Sequence, residues 1–181
     1  MKATPLAIPD IVLIEPQVYR DERGFFFESF NQNKFEAAIG QQVNFVQDNH
    51  SRSTKNVLRG LHYQIVHPQG KLVRVIQGKI LDVAVDLRRT SSSFGKCVAI
   101  ELSEENQRQI WIPSGFAHGF QVMSETADVI YKTTDYYDPR NEHCVAWNDP
   151  SIPIEWPHSS NPILSVKDKL GKLLIHSEVF Q

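Results

Sequence analysis

Polar and apolar residues alternate along most of the chain with a period of two, the spacing of a strand and not of a helix. In KILDVAVDL, residues 79–87, Leu81, Val83, Val85 and Leu87 share one face, and Ile80, Asp82, Ala84 and Asp86 the other. That pattern predicts a half-buried antiparallel strand. Comparable runs are GFFFESF (24–30), VNFVQDN (43–49), VLRGLHYQ (57–64), KLVRVIQ (71–77), KCVAIEL (96–102), RQIWIP (108–113), FAHGFQVMS (116–124) and DVIYKTTDYY (128–137). Turn-forming stretches such as SSSFG and SEEN separate many of them. Between KLVRVIQ and ILDVAVDL, the pair Gly78-Lys79 predicts a tight hairpin, with glycine supplying a positive φ.

Helical patterning is confined to NQNKFEAAIG from residue 31 and to SVKDKLGKLLIHSE from residue 165, where Ser165 is placed to cap a short amphipathic helix. Many short strands without strand–helix–strand alternation predict an all-β sandwich or barrel, most simply a jelly roll. One short helix falls in its N-terminal third and another at its C-terminus. No repeat or linker interrupts residues 1–181, so the chain is expected to form one domain.

A composition of 41% hydrophobic and 22% charged residues fits a globular protein. The net charge of −2, with no basic run longer than a pair such as Arg88-Arg89, gives no bulk attraction for nucleic acid or anionic lipid. Cys97 and Cys144 are far apart and in no zinc-binding spacing, which fits a reduced, cytosolic setting. Pro5, Pro9 and Pro16 cut the N-terminal apolar run far below the roughly 18 residues of a membrane span.

Polar groups are unusually frequent at strand positions: Arg23, Glu28, Gln47, Asn49, Arg59, His62, Lys71, His118 and Tyr131. Each alone reads as well as an outward-facing residue. Their spread over several strands favours a barrel lined for a polar ligand. Arg59 and His62, three apart in RGLHYQ, point to opposite faces under strict alternation, unless a bulge at Gly60 turns one of them.

In IPSGFAHGF, the order Pro113, Gly115, His118 resembles the second conserved box of cupin barrels, whose histidine ligates a metal. Taken singly, His118 reads more readily as a packed histidine beside Phe116 and Phe120. The first metal box needs H-x-H with a glutamate close behind, but this chain has His62-Tyr63-Gln64 and no carboxylate between His67 and Asp82. The ligand set is incomplete, so no metal is expected.

The segments QDNHSRSTKNVLRGLHYQ, QGKLVRVIQGKILDVAVDLR, WIPSGFAHGFQV and WNDPSIPIEWP, flanked by DERGFFFESF and LSVKDK, together resemble the dTDP-4-dehydrorhamnose 3,5-epimerase family over nearly the whole chain. The resemblance implies cofactor-free inversion of C3 and C5 in a dTDP-linked 4-keto-6-deoxy sugar, within dTDP-L-rhamnose biosynthesis, by a homodimer with exchanged N-terminal strands. A mono-epimerase acting at one carbon and a metal-dependent cupin enzyme are the alternatives. By the resemblance His62 is the general base, Asp168 its partner carboxylate, Lys71 the stabiliser of the C4 oxygen, and Tyr131 the acid on the opposite face. By pattern alone Asp168 is a solvated helix residue. Arg23 and Arg59 then match diphosphate ligands; Gln47, Asp48 and Asn49 surround the base and sugar; Tyr137 stacks near the thymidine. Glu28, His118, Glu142 and Lys167 complete the implied pocket, and His67 has no assigned role.

Overall fold

In a computed structural model describing Met1–Gln181, two antiparallel sheets pack face to face as a jelly roll. Chain order runs through strands β1 (Lys2–Pro5), β2 (Val12–Glu15), β3 (Tyr19–Asp21) and β4 (Gly24–Phe26), then helix α1 (Gln32–Ile39). There follow β5 (Gln47–Thr54), β6 (Leu58–Gln64), β7 (Lys71–Gln77), β8 (Lys79–Asp86), β9 (Cys97–Ser103) and β10 (Gln109–Ile112). The series closes with β11 (Phe116–Val122), β12 (Thr126–Thr133), β13 (Glu142–Cys144) and the single turn α2 (Val166–Lys169). One sheet has the order β1-β2-β10-β7-β12-β5 and the other β13-β6-β11-β8-β9, while β3 and β4 pair only with each other. No helix is long and apolar enough to cross a membrane.

The space between the sheets is filled by the inward residues of both, among them Val73, Val75, Ile80, Ala84, Ile110, Phe120 and Val129. The predicted strands at 71–77 and 79–87 form, but not as a hairpin, because β7 and β8 belong to different sheets. Gly78 does take a positive φ of 75°. It serves a corner at which the chain crosses the sandwich, where an added Cβ would lie 2.0 Å from the Thr126 carbonyl oxygen.

Strand β8 is also buried on both faces, not one. Val83, Val85 and Leu87 pack outward against Val145, Ile152, Trp156 and Val179, from the irregular C-terminal segment that covers the five-stranded sheet. The C-terminal helix shrinks to α2. Ser165 caps it as expected, in a reciprocal capping box with Asp168. Beyond it, Lys172 exchanges backbone hydrogen bonds with Cys144 and Ala146 instead of continuing the helix. Gly171 permits that approach, since a Cβ there would stand 2.9 Å from the Ala146 Cα.

The outer face of the six-stranded sheet is covered by α1. Asn31 caps this helix through the Lys34 N–H, and Gly40 ends it in the left-handed region at φ 71°. Its one buried residue, Phe35, meets Phe30, Phe45 and Trp111 at ring-centroid distances of 5.4–5.7 Å. This cluster takes Phe45 out of the strand expected from residue 43, and β5 begins only at Gln47. Truncating Phe35 to Ala should lower the unfolding free energy in urea titration by about 3–5 kcal/mol. A loss below about 1 kcal/mol would mean that α1 is not fastened through this ring.

Candidate active site

The cavity opens between the sheets where β6 meets β11. His62 pairs with His118 and Arg59 with Phe120, so three steps on β6 match two on β11, and one residue bulges. Gly60 makes this possible with a φ of 123°; a Cβ there would lie 2.5 Å from the Gly119 Cα and 2.8 Å from the His118 carbonyl oxygen. The bulge breaks strict alternation, and Arg59 and His62 line the same cavity of about 330 Å³. Gln47, Asn49, Lys71, His118, Tyr131, Tyr137 and Glu142 line it too, together with Ser51, Gln69 and Phe120, which sequence patterning did not single out.

Behind His62 lies Asp168, 3% exposed, its Oδ1 2.6 Å from His62 Nε2. The same oxygen accepts the Gly60 N–H at 3.2 Å, and Oδ2 accepts the Ser165 hydroxyl at 2.6 Å. Burial alone would raise the Asp168 pKa, but the hydrogen bonds from His62, Ser165 and Gly60 outweigh it and bring the carboxyl down to about 2. An ionised carboxylate fixed on Nε2 leaves Nδ1 as the imidazole's other nitrogen; Glu142 Oε1 stands 3.9 Å from it.

Lys71 is buried, and its Nζ donates to the His62 carbonyl oxygen at 3.2 Å. Burial pushes the ammonium pKa down to about 8, against the opposing charge of Asp82. His118 is held by Asp82 through an Nε2–Oδ2 contact of 2.9 Å, with both side chains buried. Burial also raises the Tyr131 phenol above its ordinary value, while the charge of Arg59 works the other way. Arg59 itself donates to Ser53 Oγ at 3.0 Å.

At the mouth, Tyr137 donates to Glu142 Oε2 at 2.7 Å, and Lys167 pairs with the same carboxylate. Gln64, at the position where a metal cupin carries its second histidine, fastens this rim. Its amide donates to the carbonyls of His67 and Tyr136, and its Oε1 accepts the Asp138 N–H at 2.9 Å. His67 lies outside the cavity, 3.3 Å from Asp135.

Five expected site residues do not line the cavity: Asp168 lies behind His62 and Lys167 at the rim, while the other three are held elsewhere. Asp48 points from the other face of β5 and pairs with Lys132 at 3.0 Å. Arg23 sits on the β3–β4 hairpin, its side chain 85% exposed and paired with Asp21. Glu28 binds Lys34 at 2.8 Å. Cys144, opposite His62 in the β6–β13 register, is half-buried beside the dyad; burial and the charge of Asp168 push its thiol up to about 12.

A jelly roll with a His–Asp dyad, a buried lysine and a tyrosine around one cavity belongs among the cupin-like barrels. The family model described as dTDP-4-dehydrorhamnose 3,5-epimerase matches residues 5–175. The chain belongs to that family of isomerases. It is 59% identical over 180 residues to the dTDP-4-dehydrorhamnose 3,5-epimerase of Pseudomonas aeruginosa, covering 99% of each chain. Its fold is similar, at a TM-score of 0.95 and 50% identity, to the dTDP-6-deoxy-D-glucose-3,5-epimerase of Legionella pneumophila solved with dTDP-4-keto-L-rhamnose, covering 98% of this chain and 94% of that one. It is also similar, at 0.89 and 31%, to ChmJ, a 3'-monoepimerase from Streptomyces bikiniensis solved with dTDP-quinovose, covering 97% and 88%.

The low folded pKa of Asp168 has a signed consequence. A carboxyl depressed from 3.8 to about 2 contributes stability that is present above pH 3.8 and lost as the pH falls toward 2. Acid unfolding of Asp168→Asn should therefore lack part of the wild-type loss between those values. Parallel curves for the two proteins would mean the carboxylate is not held by the dyad.

Proposed function

We propose that the chain inverts C3 and C5 of dTDP-4-dehydro-6-deoxy-D-glucose, yielding dTDP-4-dehydro-L-rhamnose, by proton transfers through an enolate. The observation that carries this is the origin of two side chains. His62 stands on β6 of one sheet and Tyr131 on β12 of the other, so they approach the single cavity from opposite walls. Inversion of a carbon acid needs that arrangement: a base removes the proton from one face and an acid returns one to the other.

Both C3 and C5 adjoin the C4 ketone, so the carbanion left by either deprotonation delocalises onto the C4 oxygen. His62 Nδ1 takes the α proton, while Asp168 on Nε2 stabilises the imidazolium that results. Lys71, charged below a pKa of about 8, meets the developing oxyanion; one such preorganised donor is worth about 3–4 kcal/mol. Tyr131 then protonates carbon from the far side. Its phenol, kept neutral by burial, holds the proton until the enolate forms.

Arg59 suits a diphosphate oxygen, to which a guanidinium donates in a fork. Gln47 and Asn49, linked to each other at 2.8 Å, face the same space and suit the sugar and base. Tyr137 offers a flat ring at the mouth for stacking on thymine. The buried His118 hydrogen-bonds the substrate, and Glu142 with Lys167 bounds the sugar end. The unbridged Cys97 and Cys144 support a reducing, cytosolic setting.

Arg23, Glu28 and Asp48, expected around the nucleotide, favour a homodimer. The β3–β4 hairpin leaves Tyr19, Phe25 and Phe26 between 57% and 71% exposed, more apolar surface than a lone hairpin keeps in water. In a dimer that buries it, Arg23 and Glu28 of one subunit reach the cavity of the other. Sedimentation should give a dimer for the wild type and a monomer with weakened dTDP binding for Phe26→Asp. A fully active wild-type monomer would exclude this arrangement.

Incubation with the 4-keto sugar nucleotide in D₂O should place deuterium at both C3 and C5, and His62→Ala should abolish it. Tyr131→Phe should keep exchange while losing inversion. Deuterium at C3 alone would identify a mono-epimerase instead.

A further inference from the structure

Cys144 takes no part in the proposed proton transfers, yet its Sγ, an imidazole nitrogen of His62 and a carboxylate oxygen of Asp168 all lie within 4.8 Å of one another. The three groups come from β13, β6 and α2, and β6 holds the other two in place. Cys144 is in backbone register with His62, and Asp168 is fixed by Ser165 and Gly60. Cys144 also borders a surface hollow, with Lys172 and Ser177, that Glu142 separates from the substrate cavity by lining both. Its side chain thus meets solvent through a hollow other than the one His62 lines.

We propose that these three side chains form an inhibitory zinc site behind the catalytic imidazole. A thiolate, an imidazole and a carboxylate are the donors zinc prefers, and three protein ligands leave its fourth tetrahedral position for water. Zinc–ligand lengths require the donors to stand about 3.4–3.6 Å apart around the ion. His62 Nε2 and Asp168 Oδ1, now 2.6 Å apart, open slightly, and Cys144 closes from within its 4.8 Å limit.

The proton balance makes the ion an inhibitor. Nε2 is the nitrogen facing Asp168, so zinc takes the place of the dyad's proton, which shifts to Nδ1 beside Glu142. The Cys144 thiol proton leaves to solvent. With Nδ1 protonated, the imidazole cannot accept the α proton, although the cavity for the sugar nucleotide stays open. Zinc therefore lowers kcat and spares dTDP binding. This effect rests on His62 acting as the base, whereas formation of the site does not.

Cobalt(II), spectroscopically visible, separates the two. Titrating the full-length protein with Co²⁺ should give a sulfur-to-metal charge-transfer band and the visible bands of tetrahedral cobalt, both absent from Cys144→Ser. Zn²⁺ should abolish turnover of the wild type, reversibly with EDTA, while leaving dTDP affinity unchanged. Cys144→Ser should turn over normally and lose the zinc inhibition. A cobalt spectrum without the sulfur band, or equal zinc inhibition of both proteins, would overturn the site. The sulfur band with no loss of turnover would retain the site but remove His62 as the base.

Discussion

The backbone contact between Gly60 and Gly119 is the constraint from which the rest of the cavity follows. With no side chain on either residue, β6 and β11 approach more closely than any Cβ would allow, and β6 gains the extra residue that turns Arg59 and His62 to one side. The Gly60 N–H, freed from the regular ladder by the bulge, is then accepted by Asp168. One local irregularity thus presents a guanidinium and an imidazole together, and it also holds the carboxylate that bonds the imidazole. This is how glycine in a strand usually acts, trading ladder regularity for direction.

The polar interior is tolerable because its charges are matched in pairs and triplets. Asp168 is offset by three donors, His118 by Asp82, and Glu142 by Lys167 and Tyr137. Arg59, bonded only to the Ser53 hydroxyl, and Lys71 are less well matched; of the two, Lys71 is the buried one. Its ammonium has one carbonyl partner and Asp82 at longer range, and burial has already weakened its hold on the proton. A cation left partly unsatisfied is one to which an anionic ligand supplies the negative charge its surroundings withhold.

Much of the fold was readable from alternation, and the failures share a cause. The run KLVRVIQ is β7 to the residue, and the caps at Asn31 and Ser165 stand where local chemistry put them. The supposed hairpin at Gly78 failed because a positive φ says that the chain turns, not which sheet receives it. The two-sided burial of β8 was hidden because its outer cover comes from residues beyond 145 that carry no periodic pattern. The site divides the same way. Arg59, His62 and the bulge were visible as a local conflict within RGLHYQ. Asp168, which lies 106 residues from its partner, came only from family resemblance. Asp82, Ser53 and Gln64 become informative once strand pairing is known.

Gln64 shows how one barrel commits to a chemistry. At the place where metal-binding relatives of the fold present a ligand, this chain spends both ends of an amide on the segment carrying Tyr136 and Asp138, and so steadies Tyr137 at the entrance. The two uses exclude each other. An imidazole there has no carbonyl oxygen for the Asp138 N–H and no second amide hydrogen for Tyr136. Restoring the metal ligand would therefore unfasten the rim, and a designer seeking redox activity in this scaffold would have to build a new gatepost before removing the old one.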